Sequence, residues 1–537
     1  MNKIESKYSF RALSGFLSKP ETSISVRLTA GLPFTDTVTN HEYILSPINS
    51  NRSKPYFDTG LLPQIEYQLI DYHLQTLSSF VVVEARDNLF LVFQSHTLPE
   101  RINSVSEEAI SVILEFLNTD FGAEEVYLFA PDDELLKNGR ALDGVIRRTL
   151  QEINLGIFPK KIVTPKNLSV IPEQILTAGP SISSLETTYV YEATKNGWNN
   201  KSSDFLVEFE RTFADYVGAE FAMATSSCTG ALHLALLALD IGPGDEVLVP
   251  DITWVATASA VRYVGAKPIF IDIDPITWTI DTLSVRKSIS DKTKAIIPVH
   301  LYGYGARMKD LVEIASEYNL HIVEDAAPAI GTKINGKLAG TFGDFGCYSF
   351  QGAKMLVTGE GGMLVTNNAE LHKRARKIQD HGRKSGTFWI EELGYKYKMN
   401  NITAALGLAQ LQRSENQINR KRRINSWYYE NLAGIVGLTP QIEDVGTKSI
   451  CWMTSYTLDP ALPISRDELI KTLKSFGVDS RPVFPSISRY EIWGYQPSTP
   501  LNSEFIGENG INLPSGVMLN RATVDRVCHL IREAIGC

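Results

Sequence analysis

From residue 171 onward, short runs of β-branched and aliphatic residues alternate with stretches of helical spacing. The clearest runs are Glu246-Val247-Leu248-Val249-Pro250, Pro268-Ile269-Phe270-Ile271-Asp272, Ala295-Ile296-Ile297-Pro298-Val299 and His321-Ile322-Val323-Glu324-Asp325. Strands buried on both faces read as such unbroken apolar runs, and their alternation with helices predicts an α/β fold with a mostly parallel sheet. Ligands in these sheets collect at the carboxyl ends of the strands. Asp325 closes one run, and Ser349 and Lys354 fall at or just after the strand-like Gly346-Cys347-Tyr348-Ser349-Phe350, so all three are expected at that edge. After about Gly382 the pattern loosens, with helical spacing through 404–411 and a last helix near 524–535. The expected division is a large domain over 171–382 and a smaller C-terminal lobe over 383–537.

The first part of the chain patterns differently. Phe80-Val81-Val82-Val83-Glu84-Ala85-Arg86 and Leu89-Phe90-Leu91-Val92-Phe93 flank Asp87-Asn88 as two strands of a hairpin. A helix over 106–118 and a strand at Val126-Tyr127-Leu128-Phe129 follow. These elements predict a small α+β module over 1–165, without a catalytic constellation. Its end is marked by the basic, proline-punctuated stretch from Pro159-Lys160-Lys161 to Pro165-Lys166, which reads as a linker.

The chain has 537 residues, 43% of them hydrophobic and 21% charged, which is enough for two to four domains with sizeable cores. A net charge of -9 gives no overall basic field and argues against nucleic acid as a partner. The two basic clusters, Lys373-Arg374-Ala375-Arg376-Lys377 and Arg420-Lys421-Arg422-Arg423, lie in helical patterns and are expected to be solvated helix faces. The five cysteines have neither zinc-ligand spacing nor a disulfide framework, which fits a reducing compartment. With no apolar leader and no run of membrane-spanning length, the expectation is a cytosolic protein without a membrane partner.

The candidate chemistry centres on Gly343-Asp344-Phe345-Gly346-Cys347-Tyr348-Ser349-Phe350-Gln351-Gly352-Ala353-Lys354, followed by Thr358-Gly359-Glu360-Gly361-Gly362. A lysine bonds an aldehyde cofactor only when its amine is partly desolvated and aimed. Ser349 can donate to a phosphate, and the glycines let backbone approach a bulky group closely. Lys354 therefore reads as the lysine that holds pyridoxal phosphate, against a glycine-rich surface loop as the plain alternative. Thr225-Ser226-Ser227-Cys228-Thr229-Gly230-Ala231-Leu232-His233 places small polar residues at a helix start, where N–H groups and the helix dipole favour a phosphate. An ordinary N-cap would give the same pattern. Asp325 is either the carboxylate that keeps a pyridine nitrogen protonated or a strand-end cap. Trp254 offers a flat face for stacking on a ring, or it fills the core.

Taken in order, Thr229-Gly230, Gly242-Pro243-Gly244-Asp245-Glu246-Val247, Trp254, Val299-His300-Leu301-Tyr302-Gly303, Glu324-Asp325-Ala326-Ala327, Ser349-Phe350 with Lys354, and Gly359-Glu360-Gly361-Gly362 resemble the DegT/DnrJ/StrS-type sugar aminotransferases. The resemblance covers residues 171 to 537, and the 1–165 module is outside it. It implies a fold-type-I, aspartate-aminotransferase-like fold with pyridoxal 5'-phosphate as cofactor. It also implies a homodimer with active sites at the subunit interface, a nucleotide-linked keto-sugar as acceptor and glutamate as the amino-acid donor. The product would be an amino sugar for a surface polysaccharide or a glycosylated metabolite. By the same resemblance Lys354 bonds the cofactor and carries protons, Asp325 pairs with the pyridine nitrogen, and Trp254 stacks on the ring. Thr229, Gly230 and Ser349 would hold the phosphate.

Two positions depart from the family pattern. Pro328 stands where glutamine or histidine is usual, and a proline side chain cannot donate to the ring hydroxyl. Lys396 stands where an asparagine reaches the partner's phosphate, a task a lysine could take over as a point charge. Dehydrating relatives replace the lysine at position 354 with histidine, so its retention favours transamination. A sugar dehydratase, a cyclitol aminotransferase and a non-catalytic regulatory protein with this fold are the alternative readings. His381 and Arg481 are candidates for the substrate side, and equally for structural roles.

Overall fold

The computed structural model describes residues 174–495 and 501–537, together with six strands before residue 130. Two compact units divide the chain: Met1–Val170 with Ser181–Glu192, and Ile171–Pro180 with Ala193–Cys537.

In the first unit, β1 (Ile24–Arg27), β2 (Leu45–Pro47), β3 (Gln64–Asp71), β4 (Thr76–Arg86), β5 (Leu89–Thr97) and β6 (Glu125–Phe129) form one sheet in sequence order. The expected hairpin is β4 with β5, antiparallel with Val82 opposite Val92. The strand expected at 126–129 is β6, which runs parallel to β5. The helix expected at 106–118 and the linker at 159–166 lie outside the described residues.

The second unit is built on a seven-stranded sheet in the order β7-β15-β14-β11-β10-β8-β9. Its strands are β7 (Phe221–Thr225), β8 (Glu246–Pro250), β9 (Lys267–Ile271), β10 (Thr293–Ile296), β11 (His321–Asp325), β14 (Phe345–Ser349) and β15 (Gly362–Thr366). All run parallel except β15, which is antiparallel to both of its neighbours. This is the mostly parallel α/β sheet the alternating pattern predicts. One strand is shorter than expected: β10 stops at Ile296, because Pro298 has no N–H to continue the ladder. The carbonyl of Pro298 still accepts from the N–H of Asp325 at 2.9 Å, so the two strand ends stay in register.

The main helices of this unit include α1 (Asp204–Val217), α2 (Cys228–Ala238), α3 (Ala256–Tyr263), α4 (Met308–Tyr318), α5 (Ala369–Gln379), α6 (Asn401–Gln412), α7 (Ser414–Leu432) and α8 (Arg521–Ile535). α2 is apolar around its whole circumference and is buried accordingly, with Ala231, Leu232, Leu234, Ala235 and Leu236 at most 1% exposed. It packs in one core with Val247, Val249, Val323 and Phe345 from the sheet. Two short strands, β12 (Lys333–Ile334) and β13 (Lys337–Leu338), form a hairpin that β17 (Thr447–Lys448) extends.

Toward the C-terminus, β16 (Leu438–Pro440), β18 (Thr454–Leu458), β20 (Gly510–Leu513) and β19 (Arg481–Pro482) make an antiparallel sheet. α7 and α8 bury Ile424, Tyr428, Val524, Val527 and Ile531 in a second core with Leu438, Tyr456 and Ile511. The last helix thus begins three residues earlier than its apolar spacing suggests, because Asn520 caps it through the N–H of Thr523.

The basic cluster 420–423 is not the solvated helix face its charge predicts. Arg420 and Lys421 are buried, not solvated. Arg420 donates to the carbonyls of Val517 and Leu519, and Lys421 donates to those of Trp452 and Ser515. Loop carbonyls that leave water without a ladder partner need donors, and these two side chains provide them. In the other cluster, Arg376 makes a two-pronged contact with Glu210 at 2.9 Å and Arg374 pairs with Asp240. Among the described residues, no helix is long and apolar enough to cross a membrane.

Candidate active site

The strand directions bring the carboxyl ends of β7, β14, β11, β10 and β8 to the edge where β15 begins. Thr225 lies opposite Gly362, Gly362 opposite Ser349, and Cys347 opposite Asp325. The residues expected to act together are therefore gathered from segments more than 120 positions apart.

At the end of β7 the chain turns into α2. Ser227 is the N-cap, and its Oγ accepts from the N–H of Gly230 at 3.1 Å. Thr229 and Gly230 thus lie in the first helical turn, whose N–H groups have no intrahelical acceptor and point toward the sheet edge. The cap takes the N–H of Gly230 and involves no atom of Thr229, so an N-cap here does not exclude an anion at the same turn. β15 starts hard against this turn: a Cβ on Gly362 would lie 2.6 Å from the backbone nitrogen of Cys228. Tyr397 covers the other side, with its ring 3.3 Å from where a Cβ on Gly230 would stand. Ser349, the last residue of β14, is 5% exposed, and its Oγ accepts a long 3.4 Å bond from the N–H of Gln351.

The adjacent acids Glu324 and Asp325 face opposite sides of β11, as neighbours in a strand must. Glu324 is fully buried and accepts from the N–H groups of Gly340, Phe342 and Gly343 at 2.5 to 2.8 Å. His300 accepts from Ala306 N–H through Nδ1, so Nε2 carries the proton and donates to Glu324 at 3.0 Å. This network anchors the loop that enters β14. Asp325 faces the site, accepting from Thr257 Oγ1 at 2.7 Å and from Ala327 N–H at 3.1 Å. Burial pushes its carboxyl above the usual range, against those bonds and the attraction of Lys354.

Lys354 follows β14 on a turn closed by its own N–H donating to Gln351 O at 2.8 Å. Its side chain is half-buried, and burial pulls the amine below its ordinary range, opposed by the Asp325 carboxylate and by Cys228. Nζ stands 4.0 Å from the centre of the Trp452 ring. Trp254, on the loop between β8 and α3, is 62% exposed and is not a core residue. Its ring centre is 5.8 Å from that of Phe484.

The other expected residues are engaged elsewhere in the chain. Lys396 is mostly exposed, 3.8 Å from Asp380. His381 is exposed in a left-handed turn, and its N–H donates to Tyr395 O. Arg481 is exposed and paired with Asp479 at 3.0 Å. Pro328 is buried in the turn after Asp325. Sequence reasoning missed Thr257, Phe484 and Trp452, which reach the site only through packing and carry no local motif.

This donor set fits pyridoxal phosphate. A carboxylate raised by burial suits a pyridine N–H, the first turn of α2 with Ser349 suits a phosphate, and a desolvated lysine amine suits an aldehyde. Among the described residues no cluster of side chains suits a metal ion.

The profile of the DegT/DnrJ/EryC1/StrS aminotransferase family matches residues 180–532. The GDP-perosamine synthase of Caulobacter vibrioides is 39% identical over 366 residues, 67% of this chain and 98% of that protein. The UDP-N-acetyl-3-dehydro-alpha-D-glucosamine 3-aminotransferase of Acidithiobacillus ferrooxidans is 35% identical, over 61% of this chain and 87% of its own. Among solved structures, the aminotransferase TlmJ from Streptoalloteichus hindustanus superimposes with a TM-score of 0.64 at 30% identity, covering 68% of this chain and 99% of that one. The N-terminal 179 residues lie outside the family match. The chain belongs to the DegT/DnrJ/EryC1/StrS aminotransferase family and is a pyridoxal-phosphate-dependent aminotransferase of fold type I.

Proposed function

We propose that the protein moves an amino group from glutamate to the keto carbon of a nucleotide-linked sugar, with a GDP-linked sugar as the first candidate. The observation that carries this reading is the half-buried Lys354 amine in electrostatic contact with the buried Asp325 carboxylate, at the sheet edge where α2 begins. The choice of acceptor is supported by the GDP-perosamine synthase relative, which matches over nearly its whole length.

When bound, pyridoxal phosphate supplies an aldehyde for covalent attachment and an electron-withdrawing ring. Asp325 holds a proton on the ring nitrogen, and its ionised form is favoured there by the hydrogen bond from Thr257. The first-turn N–H of Thr229 and Ser349 Oγ hold the phosphate, and Gly230, whose own N–H the Ser227 cap takes, lets it approach the backbone closely. Trp254 covers one face of the ring. Lys354 Nζ would hold the cofactor's aldehyde, and as a free amine it would serve as the site's acid and base. Burial lowers its basicity, which favours the neutral amine that such a role needs.

In this reading residues 171–382 carry the cofactor, 383–537 form a small lobe, and 1–165 have a separate role. The active form is a homodimer in which Lys396 serves the partner subunit's phosphate site, supported by the exposure of Phe388, Trp389 and Leu393 on the adjoining hairpin. His381 and Arg481 remain the substrate-side candidates of this reading. The compartment is a reducing cytosol, supported by the free thiols of Cys228, Cys347, Cys451, Cys528 and Cys537.

The test is a screen of GDP-, UDP- and TDP-linked keto-sugars with glutamate, following 2-oxoglutarate. Release of 2-oxoglutarate with one acceptor, and loss of both the cofactor's visible absorbance and turnover in Lys354→Ala, are expected. Full activity in that variant would overturn the assignment.

A further inference from the structure

Four aromatic rings lead from the exposed Trp254 to the reactive amine. Trp254 lies 5.8 Å from Phe484, Phe484 5.4 Å from Tyr302 and Tyr302 6.0 Å from Trp452, centre to centre. Lys354 Nζ then stands 4.0 Å from the Trp452 ring centre. Trp452 is 6% exposed and is held from two sides. Its indole N–H donates at 2.9 Å to the carbonyl of Ala353, the residue before Lys354, and its own carbonyl accepts from Lys421 Nζ at 2.8 Å. The backbone that carries the lysine and the ring beneath its amine are thus tied together.

We propose that Trp452 is a positioning residue for Lys354, its indole face receiving the ammonium whenever the amine is not bonded to the cofactor. The inference rests on the reading of Lys354 as the cofactor lysine. An ammonium within about 6 Å of an indole face is attracted by the ring quadrupole, most strongly when water is excluded. The other titratable groups that act on Lys354 are Asp325 and Cys228. Burial pushes the Cys228 thiol far up, so it stays neutral and Asp325 is the one neighbouring charge among them. A second carboxylate would hold the ammonium through a hydrogen bond and compete for its proton. The indole face has no acceptor atom, so it keeps the charged amine in place and releases the neutral amine freely. Lys354 needs both states, one to attack and one to deliver a proton.

The experiment measures the pH dependence of Lys354 acetylation by mass spectrometry, in the full-length chain freed of cofactor. Trp452→Leu is expected to lower the Lys354 pKa by about one unit and Trp452→Phe by less, in line with the strength of the two rings. A packing role alone would admit water in Trp452→Leu and leave the pKa unchanged or raised, and either result overturns the proposal. If Trp452→Leu does not fold, Trp452→Phe decides: a smaller downward shift supports the inference and no shift overturns it. Adding pyridoxal phosphate separately tests the reading beneath it. Failure to protect Lys354 would remove that reading, whatever the order of the pKa values.

Discussion

Thr257 Oγ1 donates to Asp325 Oδ2 at 2.7 Å, and Thr253 Oγ1 lies 3.0 Å behind it, so a hydroxyl pair, one in the first turn of α3 and one on the loop before it, supports the carboxylate at the end of β11. Both threonines are at most 2% exposed. A hydrogen bond to a buried carboxylate favours its ionised form, and here it works against burial.

Thr257→Val keeps the shape and removes the donor. Hydrogen bonds to charged groups contribute about 1.5–3 kcal/mol, so pyridoxal phosphate should bind on the order of 10- to 100-fold more weakly. Titration of the cofactor-free protein, followed by absorbance, measures this. Equal affinities would show that Thr257 does not govern the charge on Asp325.

Gly362→Ala sets a methyl group 2.6 Å from the Cys228 nitrogen and from the Ser227 carbonyl carbon, both backbone atoms that cannot swing aside. Overpacking of this kind costs about 1–3 kcal/mol. Because the atoms displaced are the first turn of α2, weaker cofactor binding should accompany the lower denaturation midpoint. Ser227→Ala, which removes only the cap to Gly230, should cost about 1 kcal/mol.

The strands were legible because a parallel sheet covered on both faces demands unbroken apolar runs, and Asp325 and Ser349 were legible because they end such runs. Lys354 stood out through its glycine-rich surroundings. Thr257 and Trp452 carry no such signal: one reaches Asp325 across 68 positions and the other touches Ala353 across 99. Arg420 and Lys421 misled for the opposite reason. Their charge reads as surface, while the loop carbonyls they satisfy become evident only once the C-terminal sheet has formed around them.

Burial pulls the Lys421 amine from 10.5 down to about 7. Between those values the unfolded chain binds the proton and the folded chain does not, so stability from this group rises with pH from about 7 to 10 and its full penalty is present below about 7. Lys421→Met removes the titration and leaves the Trp452 and Ser515 carbonyls without their donor. Urea midpoints at pH 7 and pH 9 should rise more in the wild type than in the variant. Parallel changes in both would mean that Lys421 keeps its ordinary basicity.

Asp251, at the end of β8, is fully buried and accepts from Ser488 N–H at 2.7 Å and Ser488 Oγ at 3.0 Å. Burial raises its carboxyl from 3.8 to about 6 in spite of those bonds. Here the folded chain binds the extra proton, so the stability from this group is fully present below about 4 and is lost as pH rises through about 6. A shift of about two units corresponds to roughly 3 kcal/mol. Asp251→Asn keeps an acceptor for Ser488 N–H and cannot ionise. Its stability relative to wild type should therefore improve between pH 4 and pH 7, read as the difference in denaturation free energy at the two values. The segment that Asp251 anchors also carries Phe484, which packs on Trp254, so the variant should blunt any change in Trp254 fluorescence over the same window. A constant difference between the two proteins from pH 4 to pH 7 would mean that Asp251 is ionised throughout and that its two serine bonds outweigh its burial.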